Sequence, residues 1–558
     1  MQLEELLRRV DENARNLFHG RSPLIEAQRP QSGTSRCRSG AVHPNKFLTE
    51  GKAEQLSQTI TDPPRLGLAT KISYGLGSVA QGVGGVALST TVINYYLVRV
   101  VGLRPAVVGV VILISLVIDA VLDPAIGRWS DSLRSPWGRR HPFMYASAVP
   151  ISLAIVFLWR RPDGLPTDAM PVYVLIMLVV LRLAGGLYQI PSDALAPELA
   201  PDYHERTSLI SWRWFFGLFG LVVITVLLNG VFLRKDAAHP LGPNDPAGYA
   251  NFGVVAAIIV FVSIIVSAAA TQRYIPYLKS APVRHQTAGQ SMREIWQVLS
   301  NPSLLAAMGS GLVSGVASGI SMALTAFMNF YFWGLTPQVV ALMTLMAAPA
   351  AILGVIAAPI LSRVLDKKPT MITVFILSIF SGVIPVTLRL VGLMPPNGSP
   401  LIPVILTADL FVAAVLAVIG FVILSSMIAD VAEDAAVKTG VRSEGLLFAA
   451  YGLVPKITTG LGGLIGNMML EFVHFPAGAE QGAVDVVDPA IMRHLALVSI
   501  PAGAVLNLIS VGVLMFYRID RGSHEANLES LRLASVTGPP TALPTGGSSV
   551  GEPFTPPL

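Results

Sequence analysis

Residues 105–131 read PAVVGVVILISLVIDAVLDPAIGRWSD. From Pro105 to Ile118 there is no charge, and at 1.5 Å per residue the run to Gly127 is long enough to cross a bilayer core of about 30 Å as a helix. Asp119 and Asp123 stand four residues apart, one above the other on one helical face, with no basic residue between them. Each acid costs about 2.5 to 3.5 kcal/mol to insert, which nearly cancels about ten Val, Ile and Leu at roughly half a kcal/mol apiece. The span inserts but gains little, so the acids need a purpose.

Composition sets the class. The 558 residues are 52% hydrophobic and 13% charged, about half the charge of a soluble domain, which makes this an all-α polytopic membrane protein embedded in a lipid bilayer. Fifty Gly and 41 Pro suit the close packing and helix breaks that membrane bundles tolerate. Cys37 is the only cysteine, so no disulfide forms within the chain. The net charge of +5 is spread over loops rather than clustered with aromatics, which argues against a nucleic-acid partner. The nine histidines, in tails, loops and span ends, show no metal-ligand or nucleophile–base spacing, so a membrane enzyme is not expected.

About twelve apolar segments are long enough to span, roughly 73–97, 106–127, 143–159, 171–192, 212–233, 251–271, 303–329, 337–361, 371–391, 402–428, 445–470 and 491–516. With the amino terminus inside, the inner loops hold Arg134, Arg139, Arg140 and His141, then Arg206, then Arg273, Lys279, Arg284 and Arg293. In the second half they hold Arg363, Lys367 and Lys368, then Lys438 and Arg442. The last outer loop is acidic, with Glu471, Glu480, Asp485 and Asp488, so both termini are expected in the cytoplasm and the chain in the plasma (inner) membrane. Residues 1–70 lack a continuous apolar core, which argues against a signal peptide; they read as a poorly ordered extension with a short amphipathic pattern, or as a misassigned start. The expected divisions are a six-helix half at 71–272, a central loop at 273–302, a second half at 303–517 and a disordered tail at 518–558.

A shift of 235 residues lays DPAIGRWSD (123–131) on APILSRVLD (358–366), so that Pro124, Arg128 and Asp131 fall on Pro359, Arg363 and Asp366. Parallel repeats of six spans are the plan of the major facilitator fold. The shared Arg and Asp at the membrane edge read as structural, pinning the inner loops. Under the same shift Asp119 meets Gly354 and Asp123 meets Ala358, so the acid pair belongs to one half alone and reads as functional. Both acids lie toward the carboxyl end of their helix, and Pro124 cannot donate to the carbonyl of Ala120. An oxygen-rich, negative pocket of this kind takes a small cation or a proton. The alternative is an acid pair facing the inner vestibule or bridged to a structural Arg. Lys456, about eleven residues from either end of its apolar run, needs a carboxylate partner, and this pair is the obvious one. Arg182 and Arg213 are less specific, serving packing or a loop contact equally well, and Asp409 sits near the outer mouth.

IDAVLDPAIGRWSDSLRSPWGRRHPF resembles the glycoside-pentoside-hexuronide:cation symporters, the melibiose permease branch of the major facilitator superfamily. YGLGSVAQG at 74–82, YQIPSDALAPEL with HERTSLISWRWFF between 188 and 216, and SMIADVAEDAAVKTGVRSEGLLFAAYGLVPK at 426–456 support the likeness over about residues 70–517. The resemblance implies that Asp119 and Asp123 are cation ligands, holding Na+ if Na+ is the coupling ion, and that Lys456 lies near the sugar and cation sites. Arg139 and Arg140 match the inner-loop basic motif, and with Arg128, Asp131, Arg363 and Asp366 form the expected inner gate. Two matches fail. Where the melibiose permease has a Lys-Asp pair in its first span, Gln81 and Gly82 stand here, and the sugar-binding Asp before Ile-Pro in the fourth span is Gln189.

The expected function is a monomeric secondary transporter, not an enzyme, that carries a small-molecule solute, a sugar or glycoside, by symport with Na+ or H+ and without another cofactor. Gln81, Tyr188, Gln189, Arg213 and Lys456 are the candidate substrate contacts. Loss of the sugar-binding acids keeps a second reading open, a major facilitator transporter of a non-sugar solute such as a lipid or an aromatic acid.

Overall fold

Four of the helices start with an Asp, Asn or Thr followed directly by Pro: Asp245–Pro246, Asn301–Pro302, Thr336–Pro337 and Asp488–Pro489. The side-chain oxygen accepts from amides of the first turn, and the proline takes a position whose own N–H has no intrahelical partner. These start signals divide the apolar runs into helices of membrane length. The computed structural model describes residues 66–162, 164–200, 202–234, 242–278, 301–439, 444–478, 487–519 and 522. Most of the expected amino-terminal extension, central loop and carboxyl-terminal tail, with Lys279, Arg284, Arg293, Arg442, Glu480 and Asp485, lies outside them.

The first half contains α1 (Leu68–Ala87), α2 (Thr90–Tyr95), α3 (Pro105–Ser132), α4 (His141–Leu158), α5 (Met170–Leu199), α6 (Tyr203–Leu227) and α7 (Pro246–Gln272). The second contains α8 (Pro302–Phe327), α9 (Pro337–Thr344), α10 (Ala347–Leu365), α11 (Lys367–Leu390), α12 (Leu401–Thr439), α13 (Glu444–Phe472) and α14 (Pro489–Leu514). Among the described residues, 11 helical segments are long and apolar enough to cross a membrane; α13, 29 residues long, is a further helix outside that set. Two of the expected spans are broken. The first bends at Leu88–Ser89, between α1 and α2, and the eighth at Leu345–Met346, where i to i−3 hydrogen bonds tighten the chain between α9 and α10.

The neighbours repeat from half to half. In the first, α1 packs on α6 and α7, α4 on α5 and α7, and α3 on α5. In the second, α8 packs on α13 and α14, α11 on α12 and α14, and α10 on α12. These are two six-helix halves of a major facilitator fold. The tightest seam is α1 on α6: a side chain at Gly82 would collide with the backbone of Gly217 and Leu221, and one at Gly220 with the backbone of Val79. Small residues let two membrane helices meet backbone to backbone, where dispersion contacts replace a hydrophobic drive that lipid cannot supply.

The halves join through α3 on α13 and α2 on α8. Among the described residues, the hydrogen bonds and ion pairs between halves lie at the level of Lys456 or nearer the end marked by Arg99. Arg99 itself, 4% exposed, donates to the Tyr331 hydroxyl (2.8 Å) and to the carbonyls of Pro476 (3.0 Å) and Gly478 (2.8 Å), and its guanidinium faces the rings of Tyr331 and Phe475. Tyr95 adds a bond to Asn244 (2.8 Å) and one with Tyr331 (3.1 Å). This end is closed by a layer of aromatic and polar side chains.

Candidate functional site

The contact of α3 with α13 sets the register of the acid pair. The two helices run antiparallel, Gly109 lying against Leu464 and Asn467, and Leu113 against Gly460. The next layer along brings Lys456 to the acids: Nζ is 2.7 Å from Asp119 Oδ2 and 2.5 Å from Asp123 Oδ2. The side chains are 24%, 12% and 31% exposed respectively, shielded enough that the attraction is only partly screened. Lys456 belongs to the second half and both acids to the first.

The face of α5 turned toward α3 carries the rest of the site. Arg182 donates from Nε to the Ser115 hydroxyl (3.1 Å), one turn before Asp119 on α3. Gly186, one turn further, leaves room for Asp123, since a methyl there would stand 3.3 Å from Oδ1. Two turns beyond Gly186, and so on the same face, is Asp193. Its Oδ1 accepts from Arg213 of α6 and from Gln81 Nε2 of α1 (3.5 Å), and its side chain is 50% exposed.

Arg213 is held on every side. It donates to the Tyr74 hydroxyl (2.9 Å), the Ser78 hydroxyl (3.3 Å) and the Ser192 carbonyl (3.3 Å), and lies over the Tyr74 ring. Tyr74 in turn donates to the Ser192 carbonyl (2.5 Å). Of the candidate substrate contacts, Gln81 and Arg213 therefore meet at Asp193, and Gln189 is exposed one turn before it. Lys456 belongs to the acid pair. Tyr188 is turned inward, 3% exposed, with its hydroxyl against Gly77 and Ser267.

At the basic-loop end Arg140 bridges Asp131 (2.6 Å) and Glu198 (2.9 Å), and Arg139 reaches the same Glu198 (3.2 Å). In the second half Asp366 caps α11 by accepting from the Lys367 amide (2.7 Å), and the Lys367 ammonium pairs with Asp430. The repeated aspartate thus ties the second span of each half to the start of the third. Among the described residues its repeated companions, Arg128 and Arg363, are exposed and make no hydrogen bond or ion pair.

The family model described as MFS/sugar transport protein matches residues 73–521. The chain belongs to that family. It is a transporter, not an enzyme, as are its relatives. An uncharacterized symporter of Synechocystis sp. is 23% identical over 84% of this chain and 97% of its own length. The isoprimeverose transporter of Lactiplantibacillus pentosus is 21% identical over 81% of this chain and 88% of its own. The fold is similar to that of the xylose transporter of E. coli in an inward-open conformation, with a TM-score of 0.55 and 14% identity over 83% of this chain and 98% of that one.

The resemblance to cation symporters implies a small coupling cation, and the residues at the acid pair are of the kind that would hold Na+. Asp119 and Asp123 offer carboxylate oxygens, Pro124 leaves the Ala120 carbonyl without its helical partner, and the Lys456 ammonium already stands where a cation between the two acids would stand. A cation bound between the acids would stand in the place of the Lys456 ammonium.

Three residues escaped the sequence reading in whole or part. Asp193 lies within YQIPSDALAPEL, four residues after Gln189, and an i, i+4 check would have found an acid on the same face. Arg182 was visible as an intramembrane charge without a partner. Arg99, in YYLVRV, is a buried charge at the end of an apolar run.

Proposed function

We propose that this protein is a secondary transporter that moves a sugar or glycoside by alternating access, coupled to a cation, Na+ or H+. The observation that carries this reading is the single ammonium from one half, Lys456, held between two carboxylates of the other. It makes the charge state of the acid pair a determinant of how the halves hold together. Na+ or H+ at Asp119 and Asp123 would supply the positive charge that Lys456 supplies here. Once released from the acids, Lys456 no longer ties α13 to α3, which leaves the packing about Gly109 and Gly460, the bond from the Ala106 amide to Glu471 and the layer around Arg99 to hold the halves together. The cargo's hydroxyls meet the polar groups of α1, α5 and α6, chiefly Gln81, Gln189 and Asp193. A ligand shifts such an equilibrium only by its differential affinity for the two states, so cargo and cation share the work through the same pair of halves.

The basic loops support a plasma-membrane protein with both termini in the cytoplasm. On that sidedness the closed layer around Arg99 is external. The test is uptake of labelled glycosides into proteoliposomes under a Na+ or a pH gradient. Asp119→Asn and Asp123→Asn should each abolish accumulation against a gradient while downhill flux stays within about tenfold of wild type, because the cargo groups lie on other helices. Uphill uptake at wild-type levels in both variants would remove the acids from the coupling machinery.

A further inference from the structure

We propose that the Asp193–Arg213 pair is the selectivity element of the cargo site, and that it commits the transporter to neutral glycosides and against those bearing a carboxylate, such as hexuronides. This rests on the glycoside reading above and narrows it.

The argument is one of charge and of hydrogen-bond capacity. Lys456 pairs with Asp119 and Asp123, Arg182 bonds Ser115 one turn before Asp119, and Arg213 pairs with Asp193, so three bases stand beside three acids on α3, α5, α6 and α13. An anionic cargo leaves water for this site only if an uncommitted positive charge receives it, because an unpaired charge inside a span is costly. Among the described residues Arg213 is the guanidinium bonded beside half-buried Gln81 and exposed Gln189 and Asp193, and its donors go to Tyr74, Ser78, Ser192 and Asp193. Four of its five N–H donors are thereby spent, its charge is met by Asp193 and its side chain is only 12% exposed, so it has no two-pronged fork to offer a uronate.

A neutral polyol needs the opposite equipment, oxygen atoms that accept from hydroxyls. Asp193 spends Oδ1 on Arg213 and Gln81, and among the described residues Oδ2 makes no hydrogen bond. Half of its side chain is exposed, on the α5 face that passes Asp123 and the contact between halves. A carboxylate accepts from hydroxyls about twice as strongly as an amide does, so this oxygen is the strongest free acceptor beside Gln189 and Gln81. The ion pair therefore does two things at once: it aims an acceptor at the cargo and removes the cation that would welcome an acid. The acid missing from the Gln189 position is supplied one turn further along the same helix.

The experiment uses the full chain in proteoliposomes and pairs of methyl glycosides that differ only in CH2OH or COO− at C6, in the glucose, galactose and mannose series. Wild type should take up the neutral member of at least one pair more than about tenfold faster than its uronide. Asp193→Ala and Asp193→Asn should slow the neutral member by about tenfold or more and narrow or invert the ratio, because Arg213 is now free to meet a carboxylate. Asp193→Glu should keep the wild-type order. Asp193→Ala with Arg213→Gln should lose whatever uronide uptake Asp193→Ala gained. A wild-type preference for the uronide, or an unchanged ratio in both Asp193 variants beside normal reconstitution, overturns the proposal and leaves the glycoside reading standing. Transport of neither member of any pair, with uptake of a non-sugar organic acid instead, overturns the glycoside reading and this proposal with it.

Discussion

Replacing Arg99 by Ala should open the end of the molecule that the structure shows closed. Arg99 is buried, belongs to the first half, and gives its three hydrogen bonds to Tyr331, Pro476 and Gly478 of the second. Hydrogen bonds to a charged group contribute about 1.5 to 3 kcal/mol each, but in the opened state water receives the same donors, so the difference between states is nearer 1 kcal/mol per bond. Three bonds and two ring contacts then favour the closed layer by about 3 kcal/mol, or roughly a hundredfold in the ratio of closed to open molecules. Ala326, 6% exposed within the same packed layer as Tyr95 and Phe330, reports on it. With Cys37→Ala and Ala326→Cys, alkylation by an impermeant maleimide from the Arg99 end should accelerate by up to about a hundredfold in Arg99→Ala. Arg99→Lys should fall between, because an ammonium keeps the charge but not the fork. A rate within about threefold of the parent would show that packing alone closes this end and that Arg99 adds nothing to it.

Gly82→Ala should lower thermal stability by several degrees or prevent insertion, since the added carbon meets backbone atoms of Gly217 and Leu221; an unchanged melting temperature in detergent would contradict the seam. Lys456→Met leaves Asp119 and Asp123 facing Arg182 alone, one negative charge in excess. Half-maximal cation stimulation of substrate binding should then shift to concentrations about tenfold lower, with coupled uptake lost, and a shift to higher concentrations would mean that Lys456 assists the cation rather than competing with it. Ser135→Cys, in the loop between α3 and α4, should react only from the cytoplasmic side of oriented vesicles; labelling from outside would reverse the assigned topology.

The spans were legible because lipid imposes a single rule, that apolar runs of sufficient length become helices, and the run around Asp119 obeys it despite two acids. The pairing of Lys456 with those acids was legible for the same reason: a charge at that depth needs an opposite one. Where the sequence misled was in the meaning of Gly82 and Gln189. Both look like vacancies, acids removed from a sugar site. Gly82 is instead the point where α1 touches the α6 backbone, and no side chain fits there. Gly354, the partner of Asp119 in the repeat, is similar: a side chain would run into Val418 of α12, so that position cannot hold an acid while α10 keeps its neighbour. Glycine as an absence and glycine as a contact are spelled the same way, and only the neighbouring helix distinguishes them. Asp193 was hidden for a related reason. Its role depends on Arg213 from another helix, and no periodicity within α5 discloses a partner twenty residues away in sequence and across a turn.

The seam between α1 and α6 has a mechanical meaning. Where side chains interlock, two helices can slide by exchanging rotamers; where backbone rests on backbone, as at Gly82 and Gly220, there are no rotamers to exchange. The two helices behave as one stiff strut. Gln81 rides on one member and Arg213 on the other, with Asp193 braced against both. The grip these three residues present to a cargo should therefore keep its dimensions as the halves rock, so that the first half works as a fixed jaw and the second, arriving through Lys456, as the moving one.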